Sequence, residues 1–254
     1  LAVPGLGDGE TDTIVEYIKE QRTQYHKTFK AVLPLAAADN EGIINFATDN
    51  IKIGAKTYTT AEFCCSIAGI LAGLPLNRSA TYYTLPEVES ITESETPDDD
   101  VDNGKLILIN DGTKIKIARG VNSLTTATED KGEDFKKIKI IEAVDMIRDD
   151  IRATFEDEFV GKIENSYDNK IVFIAAVNKY FKDLANRGVL YDKYDNKAEI
   201  DIDETREWLS KTRDVSSWDD KKIKTANTST NVFVRASIQI QDAIEDLKFG
   251  IYIE

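Results

Sequence analysis

The stretch Gly104 to Thr126, GKLILINDGTKIKIARGVNSLTT, constrains the fold more than any other part of the chain. Two apolar-alternating runs, Lys105 to Ile109 and Lys114 to Ala118, flank Asn-Asp-Gly-Thr. Asp-Gly between such runs supplies the residues that tolerate the backbone of a tight turn, so the stretch reads as a β-hairpin. It runs directly into Arg119-Gly-Val-Asn-Ser-Leu-Thr-Thr126.

Helical and strand periods alternate around it. Asp12 is expected to cap a helix with the stripe Ile14, Tyr17, Ile18 and Tyr25, after a Gly-rich, frayed Leu1 to Glu10. Ala31 to Leu35 and Ile43 to Ala47 are short apolar runs between turn residues, read as buried strands. Thr59 and Glu62 form a capping box for a helix carrying Phe63, Ile67, Ile70, Leu71 and Leu74, stopped by Pro75. Ser90 to Gly104 is acidic and poor in apolar residues, and reads as a linker or exposed loop. Ile138, Ile140 and Ile141 suggest a strand. Two amphipathic helices follow, one with Val144, Ile147, Ile151, Phe155 and Phe159, the other with Ile174, Val177, Phe181 and Leu184 and with Gly188 as its C′ residue. Asp203 is expected to cap a short helix bearing Trp208 and Leu209. Val232, Val234, Ala236, Ile238 and Ile240 alternate as one strand, and Leu247, Phe249, Ile251 and Ile253 as another. The class is α+β, mixed α/β, with an α/β layered N-terminal part and a C-terminal part built of hairpin, two amphipathic helices and terminal strands.

Catalysis has little to work with. His26 is the only histidine, and it sits in polar QYHKTFK, where a solvated side chain is expected. Cys64 and Cys65 are adjacent, a spacing that suits neither a disulfide nor a zinc site. Gly5, Gly7 and Gly9 lack the preceding strand and following Lys-Ser or Lys-Thr of a phosphate cradle. Asp98, Asp100 and Asp102 resemble the start of a calcium loop, but Asn103 and Ile109 stand where Gly and Glu are needed, which leaves a solvated acidic loop or adventitious cation binding. No cofactor is expected. A formal charge of −14, from 32 basic and 46 acidic side chains, argues against a nucleic-acid or anionic-membrane partner. No run of about 18 apolar residues suggests a membrane span.

The order of segments carries a resemblance. TIVEYIKEQR, then VLPLAAADNEGIINFATDNIK, AGILAGLPLNRSATYY, an acidic loop, the hairpin with Arg119, Gly120, Val121, Asn122, Ser123, Leu124, Thr125 and Thr126, then FKKIKIIEAVDMIRDDIRATFEDEFVGKIENSYDNK, and finally NVFVRASIQIQDAIEDL with KFGIYIE, together resemble contractile phage tail sheath proteins. Myoviruses, R-type bacteriocins and defective prophages carry such proteins. The resemblance implies a structural subunit rather than an enzyme. It polymerises as stacked hexameric rings around an inner tail tube protein, with baseplate and tail terminator proteins as further partners, and contracts by rearranging contacts between subunits. It implies a particle tail as location, assembled in the bacterial host cytoplasm.

On the same resemblance, residues 1–95 form a partial, outward-facing α/β domain and 96–254 the C-terminal core domain, with the acidic stretch 90–104 between them. Because the chain opens on Leu1, a further N-terminal portion is expected. Lys248, Phe249, Gly250, Ile251, Tyr252, Ile253 and Glu254 are candidates for an arm that pairs as a strand with another subunit, the alternative being an edge strand in its own sheet. Lys221, Lys222 and Lys224 stand out in an acidic chain and are either tube-facing or a solvated loop. Other functions open to such a chain are a small enzyme on the α/β half or a cell-surface binding module.

Overall fold

The computed structural model describes residues 1–129 and 131–253. They form two compact units, 1–145 together with the C-terminal segment from 242, and 146–241.

In the first unit, α1 (Asp8–Thr23) is followed by β1 (Ala31–Pro34), β2 (Ile43–Phe46), β3 (Asp49–Ile53), β4 (Lys56–Tyr58), α2 (Thr60–Gly73), β5 (Ser90–Thr92), α3 (Pro97–Asp102), β6 (Lys105–Leu106), β7 (Leu108–Asn110) and β8 (Ile115–Ile117). β1, β2 and β6 form a parallel sheet in that order. A parallel sheet needs cover on both faces, and the strand period of two provides it. Val32, Ile44 and Phe46 share a core with Phe63, Cys64 and Ile67 of α2. Ala31, Leu33 and Ile43 point the other way and pack with Ile18 of α1. β3 lies between β4 and β5, and β7 pairs with β8 as a hairpin, Leu108 with Ile117 and Asn110 with Ile115. Gly112 turns that hairpin at φ 88°, where a side chain would be strained. The Thr59–Glu62 capping box is present, with Thr59 N–H donating to Glu62 Oε2 at 3.0 Å.

A buried charge cluster ties α1 to the loop before β2 and to α4 (Ile138–Glu158). Arg22 makes a two-pronged pair with Asp145, at 2.9 and 3.1 Å, and Lys30 reaches the same carboxylate at 2.8 Å. Glu41 takes Lys131 at 2.9 Å and lies 3.5 Å from Arg22. Each carboxylate thus keeps a cation, which is the condition for burying it.

The second unit contains the rest of α4, then α5 (Tyr167–Asn186), β9 (Lys197–Ile200), α6 (Ile202–Ser210), α7 (Asp220–Thr225) and β10 (Val234–Ser237). Ile174, Val177, Phe181 and Leu184 form the buried stripe of α5. Phe155 of α4 meets Phe173 edge-on with ring centroids 5.1 Å apart. β10 pairs with β9 antiparallel. Gly188 closes α5 at φ 71° as expected.

Several expectations are corrected. α1 starts at Asp8 with Gly7 as its cap, and Tyr17 and Tyr25 are exposed. The 90–104 stretch is not a linker, because β5 pairs with β3 and α3 precedes β6 within one unit. The compact units divide at 145/146. Ile138, Ile140 and Ile141 are helical. Lys139 is buried along with them, and a helix turn buried on every side shows no 3.6 period to read. Asp201, not Asp203, caps α6, accepting from Glu204 N–H at 3.0 Å. Trp208 and Trp218 pack on a small core of Leu209, Val215 and Ile223. The 232–240 strand shortens to β10 plus one bridge from Ile240 to Leu190. Residues 247–253 have strand alternation but no ladder partner among the described residues.

Candidate functional site: the 119–126 junction and the C-terminal segment

The eight residues from Arg119 are a junction made mostly of side-chain bonds to backbone. Gly120 N–H donates to Thr81 Oγ1 at 2.9 Å, and a Cβ there would stand 3.2 Å from Ala80 Cβ. Val121 bridges to Lys137. Asn122 is fully buried, its Nδ2 donating to Phe135 O at 2.7 Å and its Oδ1 accepting from Leu124 N–H at 2.9 Å. Ser123 N–H donates to Ile43 O at 2.8 Å, while its hydroxyl donates to Asn40 O at 2.9 Å and accepts from Asn40 N–H at 3.2 Å. Gly104, at φ 71°, passes so close that a Cβ would lie 3.0 Å from the Ser123 carbonyl.

Asp39 closes the junction. Its Oδ1 accepts from Thr125 N–H at 2.7 Å, Thr126 N–H at 2.9 Å and Thr125 Oγ1 at 3.1 Å. The two backbone donors, Thr125 first, hold its carboxyl well below the usual range. The motif therefore stitches the loop before β2, the 79–81 segment, the entry to β6 and the start of α4. Its chemistry is that of a structural knot, in which most polar groups bond to backbone and Thr125 Oγ1 donates to the Asp39 side chain.

Beyond Gln241 the chain rejoins the first unit. Lys137 pairs with Asp242, and Arg119 pairs with Glu245 at 3.2 Å and with Asp246. Past Leu247 the side chains stand in solvent: Phe249 is 78% exposed and Ile253 95%. Lys248, Gly250, Ile251 and Tyr252 are exposed too, and Glu254 lies outside the described residues. Lys221, Lys222 and Lys224 sit on α7, where Ile223 is buried between them and Lys222 lies over the Trp218 ring at 4.1 Å.

Catalytic chemistry finds no assembly. Among the described residues no group of three or more His, Cys, Asp or Glu could hold a metal. Burial pushes the Cys64 thiol up to about 12, so it is no thiolate near neutrality. Lys170, buried on α5, donates to Thr228 Oγ1 at 2.9 Å beside a cavity of about 420 Å³ walled by Phe155, Phe159 and Phe173. The Thr228 hydroxyl is itself spent on Asn231 O at 2.6 Å, and the Cys64 thiol on Thr60 O at 3.3 Å. Among the described residues no helix is long and apolar enough to cross a membrane.

Residues 130–254 match the phage tail sheath C-terminal domain. Across 99% of its length the chain is 38% identical to the tail sheath protein of Clostridium phage phiCD119, covering 70% of that protein. The chain belongs to the phage tail sheath family. The solved sheath tail protein of Desulfitobacterium hafniense superposes on 78% of this sheath chain with a TM-score of 0.70 and 21% identity, and the chain spans 48% of it. The helical sheath of the anti-feeding prophage in its contracted state also gives a TM-score of 0.70, at 11% identity, over the whole chain and 69% of its own. Tail sheath proteins are structural, and this one is no enzyme.

Sequence reasoning located the motif but not its partners. Asp39, Asn40 and Thr81 carry no local signal, because what they bind is backbone far along the chain. The acids Asp242, Glu245 and Asp246 had a signal, an acidic cluster just ahead of the alternating run, which was lost in a chain so acidic throughout.

Proposed function

We propose that this chain is a subunit of a contractile sheath. Copies stack as hexameric rings around an inner tail tube, and contraction exchanges one set of contacts between copies for another, driving the tube through a cell envelope. Energy is then stored in a bistable lattice rather than in any site. Baseplate and tail terminator proteins close the ends, and the particle is assembled in the bacterial host cytoplasm. Lys221, Lys222 and Lys224 are the tube-facing candidates, suited to an acidic tube surface.

One observation carries this reading. Leu247, Phe249, Ile251, Tyr252 and Ile253 are each at least 76% exposed, in a segment with strand alternation and no ladder partner among the described residues. Such a segment is an unfilled half of a β-augmentation joint, with a second copy supplying the other half. The superposition on a contracted helical sheath supports it.

Removing residues 248–254 tests it. The truncated protein should keep its far-ultraviolet circular dichroism and elute as a monomer, with no tubes in negative-stain micrographs. Tubes of normal yield from that deletion would refute the joint.

A further inference from the structure

The C-terminal segment changes character at Leu247. Ahead of that point lie Asp242, Glu245 and Asp246, all engaged; beyond it the apolar residues are exposed. What engages the acids is a set of three cations from two places in the first unit. Arg119 spans two successive carboxylates, with Nη1 3.2 Å from Glu245 and Nη2 on Asp246. Lys137 holds Asp242, which also accepts from Ala243 N–H at 2.7 Å. Lys139 is buried in the first turn of α4, where Asp242 and Glu245 favour its charge against the burial that lowers its pKa.

We propose that Arg119, Lys137 and Lys139 form a basic seat that fixes the root of the C-terminal segment and so sets where and in what direction its apolar half leaves the subunit. Arg119 is a positioning residue in this scheme. The proposal rests on the reading of the apolar half as a joint between copies.

Three arguments support it. An acidic root on a chain of net charge −14 is repelled by its own protein unless cations are placed to receive it. A planar guanidinium that engages two successive carboxylates restrains the backbone's rotation as well as its position, which a single lysine cannot do. Lastly, a fixed root keeps the tether short, and a short tether of the right span presents its end to a neighbour at high effective concentration. Freeing 242–246 lengthens it. The Arg119–Glu245 and Lys137–Asp242 pairs are half-buried near the surface, where ion pairs contribute modestly to stability, so the seat acts chiefly on direction.

Hydrogen exchange of the monomeric protein, followed by mass spectrometry over residues 242–247, tests the seat directly. Arg119→Glu should speed exchange there by about tenfold or more at low salt. The wild type should approach the same rates at about 1 M salt, where screening reaches about 3 Å. Exchange should recover when Glu245→Lys and Asp246→Lys are added to Arg119→Glu. Glu245→Gln with Asp246→Asn loosens the root without touching the motif, and so serves if Arg119→Glu fails to fold. Unchanged exchange in both variants overturns the seat. Tube formation separates the two ideas. If deleting 248–254 abolishes tubes while Arg119→Glu leaves both exchange and tubes intact, the seat falls and the joint stands. If the deletion leaves tubes intact while Arg119→Glu loosens the root, the joint falls and the seat stands.

Discussion

Replacing Asn122 by alanine should destabilise the first unit more than any neighbouring change in the motif. The side chain is fully buried and makes two bonds to backbone, to Phe135 O at 2.7 Å and from Leu124 N–H at 2.9 Å. Truncation leaves a buried N–H and a half-buried carbonyl without partners. Each group so abandoned costs about 1–3 kcal/mol, and with one only half-buried the sum is about 2–4 kcal/mol. Against the usual 5–15 kcal/mol of a folded domain, about a third of the stability goes. With a urea slope of about 1–3 kcal/mol per molar, the midpoint falls by about 1–2 M. Far-ultraviolet circular dichroism is the proper probe, since Trp208 and Trp218 both lie in the second unit and report on that one. Thr125→Ala is the control: its hydroxyl bond to Asp39 is exposed, and the change should cost no more than about 0.5 kcal/mol. A midpoint for Asn122→Ala within error of Thr125→Ala refutes the claim that this amide pins the junction.

Gly42→Ala should cost about 3 kcal/mol, because the new Cβ falls on Arg22 Cδ and must break the two-pronged pair with Asp145; thermal denaturation checks it, and an unshifted melting temperature refutes it. Asp39 has a folded pKa below its ordinary value, so its contribution is complete above about pH 4 and is lost as pH falls toward the folded value. The stability lost between about pH 5 and pH 3 should therefore shrink in Asp39→Asn, and an identical slope refutes it. Maleimide at pH near 8 should label Cys65, which is exposed, and spare buried Cys64 until the protein is unfolded; two labels on the native chain would contradict the burial.

What the sequence made legible was local. The hairpin, the Thr59–Glu62 box, the α5 stripe and the β1 and β2 runs each announce themselves within a few residues. The failures share a cause, which is that the deciding partner is distant. Ser90 to Gly104 looked like a linker because β5 is defined by β3, some 40 residues earlier in the chain. The start of α4 looked like a strand because Lys139 is buried beside three isoleucines, erasing the helical period. The junction was found as a string of residues, yet its meaning lies in backbone atoms of Asn40, Ile43 and Phe135 that no spacing predicts. Residues 247–253 carry only the alternation of a strand, and alternation cannot say whose sheet a strand belongs to.

In the proposed joint, the exposed C-terminal segment also sets how strong one link between copies would be. Burying its five large apolar side chains yields about 8–15 kcal/mol gross at about 1.5–3 each. Ordering the backbone of 247–253 removes about 7–14 kcal/mol at about 1–2 per residue. The difference is small, so a single strand on a single neighbour detaches easily. A tube fastened this way behaves like a zip, with each tooth weak and the row secure. Under that proposal one subunit at a time would let go and re-engage while its neighbours hold their places.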